Sequence, residues 1–299
     1  MKKNIYNLFL LGLIIFFAVS CSSDEPDLGK SIITIGNTEK TEFDHWLEAN
    51  FVKPYNIAFK YRYEDIESDL DYYTVPAEYN KAVVLAHLVK YLCVETYNEA
   101  AGVDFTCEYF PKMFFTIGQW EFKNNGTFIL GTAEGGRKIL LAGVNDLDLY
   151  LSSPQALNHY YLKTIHHEFT HILNQTKSIP ADFQLVTGNR YVADSWSETP
   201  YDEIYLSRGF ISAYSQHSFQ EDFAEMMSIY ITNDEATWDE LMNKAGDESA
   251  PLIKQKLDIV KNYMKTSFNI DLDELRSILL RRQDEVFSGK VDLEDLTVK

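Results

Sequence analysis

Two histidines four residues apart, with a glutamate directly after the first, stand in the run His166-His167-Glu168-Phe169-Thr170-His171. On a helix, positions i and i+4 share one face. The imidazoles of His167 and His171 would then reach one Zn²⁺ at about 2.0–2.1 Å. Glu168 could move a proton on a zinc-activated water without binding the metal. That is the layout of a zinc-dependent hydrolase. The flanking residues predict the helix that this chemistry needs. From Pro154 to Gln175, Leu157, Tyr161, Ile165, Phe169, Ile172 and Leu173 recur near helical spacing; Ser152 or Ser153 can cap the start, and Pro180 lies beyond the end.

Catalytic zinc takes three protein ligands and leaves one position for water. A metzincin extension would place a glycine and a third histidine where this chain has Asn174 and Lys177, so that class is excluded. A His₂Glu site needs a carboxylate from a second helix. The run Gln220-Glu221-Asp222-Phe223-Ala224-Glu225 offers one, with Glu221 and Glu225 on one face. Two carboxylates there would repel. A cation between them relieves the repulsion, as does a division of labour in which one ligates and the other holds a histidine N–H. We assign Glu221 as the zinc ligand and Glu225 as the acceptor that fixes a histidine tautomer. Asp222 is the alternative ligand, although its shorter arm points off that face.

These segments, His167-Glu168-Phe169-Thr170-His171 and, fifty residues on, Glu221-Asp222-Phe223-Ala224-Glu225, resemble the gluzincin pattern. Over about sixty residues the pattern is similar to toxin proteases of the anthrax lethal factor type. Over most of the chain it resembles the zinc metallopeptidase lipoproteins of Bacteroidetes, encoded beside TonB-dependent import systems. The resemblance implies a zincin-like fold, one Zn²⁺ per chain, a peptide or protein substrate and a place beside TonB-dependent import components. In the toxin pattern a tyrosine seven residues before the ligand glutamate points at the reacting oxygen, and Tyr214 has that offset from Glu221. The intervening segment, Ser215 to Gln220, matches in length and little else.

The expected mechanism follows. Zn²⁺ on His167, His171 and Glu221 acidifies a water, Glu168 takes its proton and returns it to the leaving amine, and Tyr214 supports the oxyanion. His166 projects about 100° round the helix from His167 and suits packing or support of the ligands. His217, just before the second helix, could touch substrate or simply face solvent.

The elements that position these residues follow a leader. Lys2 and Lys3 precede an apolar run from Leu8 to Val19, the pattern of a secretory signal. Its twelve residues, at about 1.5 Å each, are too short for a bilayer core of about 30 Å. The ending Ala18-Val19-Ser20-Cys21 resembles the lipobox of bacterial lipoproteins, which implies cleavage of residues 1–20 and a lipid anchor on Cys21. Residues 21–35 form an acidic tether. Its Ser-Asp-Glu start resembles the signal that sends Bacteroidetes lipoproteins to the cell surface, implying an outer-membrane protein that faces outward.

Removing residues 1–20 takes away Lys2 and Lys3 and no acid, moving the net charge from −18 to −20. An acidic exterior argues against nucleic acid or anionic lipid as partner. Cys93 and Cys107 could pair or stay free, and neither has a C-x-x-C neighbour to make a metal site.

Residues 36–290 are expected to form one metallopeptidase-like domain. Its first part, to residue 150, is read as strand-rich. Strands are predicted at Asn56 to Tyr63, Lys112 to Gly118, Thr127 to Ala133 and Arg137 to Leu141, with a hairpin turn at Glu134-Gly135-Gly136. A long helix runs from Ala77 to Ala101. The strand at Arg137 to Leu141 could take an extended peptide on its edge or be an ordinary sheet strand. Residues 151–290 read as helical, with Asp271 and Glu274 spaced as a capping box. The fold class is α+β, a small mixed or antiparallel sheet backing the H-E-x-x-H helix. The scattered Trp120, Trp196 and Trp238 suit a core better than a sugar platform.

Three functions fit: a lipid-anchored zinc peptidase, a zinc hydrolase of another amide or a glycan-linked substrate, and a catalytically silent binding lipoprotein. Glu168 favours an enzyme.

Overall fold

A computed structural model of the chain describes residues 39–67, 74–122, 128–129, 133–134 and 137–298. The expected leader, the tether, Cys21 and the turn residues Gly135 and Gly136 lie outside the described residues. No described helix is long and apolar enough to cross a membrane.

Four strands build the sheet that backs the site: β1 (Ala58–Lys60), β2 (Met113–Thr116), β5 (Ala133–Glu134) and β6 (Lys138–Leu141), in the order β1-β2-β6-β5. A separate pair, β3 (Glu121–Phe122) and β4 (Phe128–Ile129), is antiparallel. The pairs β1–β2 and β2–β6 are parallel, and β5 alone runs antiparallel to its neighbour. The sheet is therefore mixed and mainly parallel, which corrects the antiparallel alternative. Parallel pairing demands a crossover of a dozen residues or more. Between β1 and β2 that crossover is helical: α2 (Tyr79–Leu88), a wider-wound turn at Val89–Val94, and α3 (Glu95–Ala101). With α1 (Glu42–Leu47) and Val103–Tyr109 also helical, the first part carries more helix than strand, where a strand-rich part was expected.

Parallel strands covered on both faces need apolar residues on both. Phe114, Ile139 and Leu141 join the main core, whereas Phe115, Ile117, Leu140 and Ala142 form a second cluster on the opposite face. The main core also holds Leu157, Tyr161, Ile165, Phe169 and Leu173, the apolar side of the H-E-x-x-H helix. Tyr161 Oη donates to the Ala142 carbonyl at 3.1 Å and ties that helix to the end of β6.

The H-E-x-x-H helix begins at Pro154–Leu157, with Ser153 Oγ accepting from Ala156 N at 3.1 Å. It passes through a wider-wound turn, Asn158–Leu162, and continues as α4 (Lys163–Thr176). After a long connection come α5 (Phe219–Thr232), α6 (Glu235–Phe268) and α7 (Leu272–Phe287). Ser218 caps α5 and Asp234 caps α6. Asp271 caps α7, accepting from the amides of Asp273 and Glu274. Cys93 is buried, Cys107 is exposed, and both are free thiols.

Candidate metal centre

Helix α4 turns its apolar side to the core, and its other side faces α5 across the interior. Three side-chain atoms from these two helices converge. His167 Nε2 lies 3.0 Å from Glu221 Oε2, His171 Nε2 lies 3.1 Å from the same oxygen, and the two Nε2 atoms are 3.1 Å apart. Two imidazole nitrogens and one carboxylate oxygen turned toward a common point form a group of three that could hold a metal ion. A tetrahedral zinc at about 2.0–2.1 Å from each donor sets neighbouring donors roughly 3.3 Å apart. The donor types and their spacing fit Zn²⁺.

Glu225, one turn along α5, meets the other side of the same ring: its Oε1 stands 2.9 Å from His167 Nδ1, off the axis of the ring N–H, so that Nδ1 makes no aligned hydrogen bond. The imidazole thus lies between two carboxylates that would otherwise repel. Glu225 is almost fully buried and is compensated by neighbours. Lys163 Nζ sits 3.1 Å from both its oxygens, and Ser212 Oγ donates to Oε2 at 2.6 Å. Burial favours the neutral acid, yet Lys163 and His167 outweigh it and hold Glu225 well below the usual carboxylate range. Glu221 behaves likewise, with burial overcome by hydrogen bonds to His167 and His171. Burial alone would lower His167, but Glu221 and Glu225 raise it to about 9.

Glu168, next on the helix, is partly buried, and its charge acts on both His167 and Tyr214. The Tyr214 ring centroid lies 5.9 Å from that of His167, and Trp196 packs edge-on against Tyr214 at 5.0 Å. Burial, then the charges of Glu221, Glu168 and Glu225, push the Tyr214 hydroxyl far above its ordinary value. It therefore keeps its proton at neutral pH and can donate. His217 stacks at a tilt 5.7 Å from Tyr214, with Nε2 3.4 Å from Asp194 Oδ1, at the rim of this group. His166 points the other way: fully buried, with Nδ1 3.1 Å from Tyr97 Oη.

Asp222 is not near the three donors' meeting point, which corrects its place as the alternative ligand. Its carboxylate is fully buried and accepts from Lys256 Nζ at 2.5 Å and Tyr191 Oη at 2.9 Å. The reason is helical phase, since one residue after Glu221 the side chain turns about 100° away. Lys163, Ser212 and Lys256 were missed from the sequence. Lys163 had a signal, because it precedes His167 by four residues and shares its face. Ser212 and Lys256 had none.

The chain belongs to the family described as “putative zinc-binding metallo-peptidase”, which matches residues 36–273. It is also similar to a solved structure described as a “putative zinc-binding metallo-peptidase from Bacteroides caccae ATCC 43185”. Sequence identity is 41% and the TM-score 0.75, over 89% of this chain and 100% of that one. No curated protein matches the chain. Family and fold put it among the zinc metallopeptidases, with zinc as the cofactor.

Proposed function

We propose that this protein hydrolyses peptide bonds with Zn²⁺ held by His167, His171 and Glu221, in the gluzincin manner. The observation that carries the reading is the convergence of His167 Nε2, His171 Nε2 and Glu221 Oε2 on one point. When bound there, Zn²⁺ supplies Lewis acidity at neutral pH. Glu168, one residue from a ligand, takes the proton of the attacking water into its carboxylate and delivers it to the leaving amide nitrogen. Tyr214 Oη, which keeps its proton, donates to the carbonyl oxygen as negative charge grows there, a contact worth a few kcal/mol. Glu225, charge-matched by Lys163, holds the His167 ring. His217, at the rim, contacts the bound peptide.

The sequence signals extend the proposal to location. The protein is lipidated on Cys21, sits on the outer membrane facing the exterior, and works beside TonB-dependent import components on peptides or proteins taken as nutrients. Labelled palmitate incorporation that disappears in Cys21→Ser tests the anchor.

Metal analysis followed by digestion of a mixed peptide library, with and without chelator, tests the activity. One zinc per chain and chelator-sensitive cleavage are expected. Zinc without any cleavage would transfer weight to another amide or glycan-linked substrate, or to a silent binding lipoprotein.

A further inference from the structure

Lys256 lies on α6 and is fully buried, in a place where a lone ammonium would be costly. Three groups from two segments, α5 and the stretch that begins at Gly209, receive it. Its Nζ donates to Asp222 Oδ2 at 2.5 Å and to the Gly209 carbonyl at 3.0 Å, and it stands 4.1 Å from the Phe210 ring centroid. Tyr191 Oη completes the Asp222 contact at 2.9 Å, and the Tyr191 ring packs edge-on against Phe210 at 5.2 Å. Asp222 sits in the first turn of α5, directly after Glu221. Gly209 begins the strap, residues 209–217, that leads to Tyr214.

The strap is held again farther along. Ser212 Oγ donates to Glu225 at 2.6 Å and accepts from Ser215 N at 3.1 Å, and the Gln216 carbonyl accepts from Val192 N at 2.8 Å. Gly209 has φ 84°, and a Cβ there would lie 3.1 Å from Leu252 Cδ1, so its carbonyl is presented from a backbone that other residues reach only under strain. Replacing a buried ion pair by apolar residues of similar volume is often neutral for stability, so the pair is weak evidence of a stabilising role and its directional hydrogen bonds suit a positioning one.

We propose that Lys256 is a positioning residue: by joining Gly209 O to Asp222 it locks the Tyr214 strap against the start of the helix that supplies Glu221. This rests on the reading that Tyr214 serves the reaction. Misplacement of a catalytic donor by about 1 Å can cost on the order of 100-fold in rate. The lock therefore acts on turnover through Tyr214 far more than on the metal ligands, which Lys256 does not itself contact.

Full-length Lys256→Met and the paired Asp222→Asn/Lys256→Met test this, the pair leaving no unmatched buried charge should the single variant fail to fold. Three quantities are read: zinc affinity by chelator competition, kcat and KM with and without Tyr214→Phe, and hydrogen exchange of residues 209–217 in chelated protein. The expected result is zinc affinity within about threefold of the parent, kcat lower by roughly 10- to 100-fold with KM little changed, and faster strap exchange. With Tyr214→Phe already present, the Lys256 change should cost nothing further. Unchanged strap exchange overturns the proposal. So does an equal loss of kcat in the Tyr214→Phe background, or a zinc affinity that falls as much as kcat. If the parent cleaves no peptide, the reading of function fails, and strap exchange still decides the lock.

Discussion

Glu225 Oε1 stands 2.9 Å from Nδ1 of His167, on the opposite side of the ring from Glu221. One imidazole therefore separates two acids spaced i and i+4 on the same helix. Glu225 is in turn matched by Lys163 and Ser212, so two neighbours besides the ring hold its carboxylate. Carboxylates behind a ligating histidine set its orientation and basicity, and losing one costs about 10- to 100-fold in metal affinity. Glu225→Gln, which keeps the volume and drops the charge, should weaken zinc binding by that amount in chelator competition. An affinity equal to the parent's would mean that Glu225 does not hold the ring.

Glu168 is separable from the ligands by the same measurement. Glu168→Gln preserves the three donors that converge at the centre and removes the carboxylate proposed to accept the proton. The variant should bind zinc as the parent does while peptide cleavage falls at least about 100-fold, the lower end for a lost general base. Cleavage at the parent rate would remove Glu168 from the mechanism.

What could be read from the residues alone was what helix geometry imposes locally. His167 and His171 share a face, as do Glu221 and Glu225, and the structure keeps both pairs facing each other across α4 and α5. The hidden parts depend on partners distant in sequence. Asp222 looked like a spare ligand because its partner, Lys256, lies 34 residues on and carries no pattern of its own. Strand direction was equally hidden: Met113 to Thr116 reads the same whether its neighbours run with it or against it, and only the helical crossover from α2 to α3 decides.

Gly143, two residues beyond β6, has φ 70°, and a Cβ there would run into the Trp120 ring. The position ties the end of the sheet to the site, since the neighbouring Ala142 carbonyl accepts from Tyr161 on the H-E-x-x-H helix. Gly143→Ala combines left-handed backbone strain with overpacking, so a loss of about 1–3 kcal/mol is expected in chemical denaturation. A stability within about 0.5 kcal/mol of the parent would show that the loop moves aside without cost.

His166 supplies a test of acid stability. Burial lowers its pKa from 6.5 to about 3, with Tyr97 Oη 3.1 Å from Nδ1. The folded chain thus keeps this ring neutral at pH values where the unfolded chain protonates it. As pH falls below 6.5 the unfolded state gains a proton that the folded state refuses, and stability drops by up to about 1.4 kcal/mol per pH unit until about pH 3. The contribution is fully present above 6.5 and is lost on acidification. His166→Leu removes the titrating group, so the stability difference between parent and variant should shift against the parent across that window. Urea unfolding of both proteins in excess chelator, at several pH values from 7 to 4.5, checks it, because chelation removes zinc release as a second pH-dependent term. Two stability curves that stay parallel over this range would mean that His166 takes up its proton without unfolding the chain. His167, one residue on, should behave in the opposite sense in chelated protein. Its pKa is raised to about 9, so its contribution is complete below 6.5, fades as pH climbs from 6.5 to 9 and is gone above that.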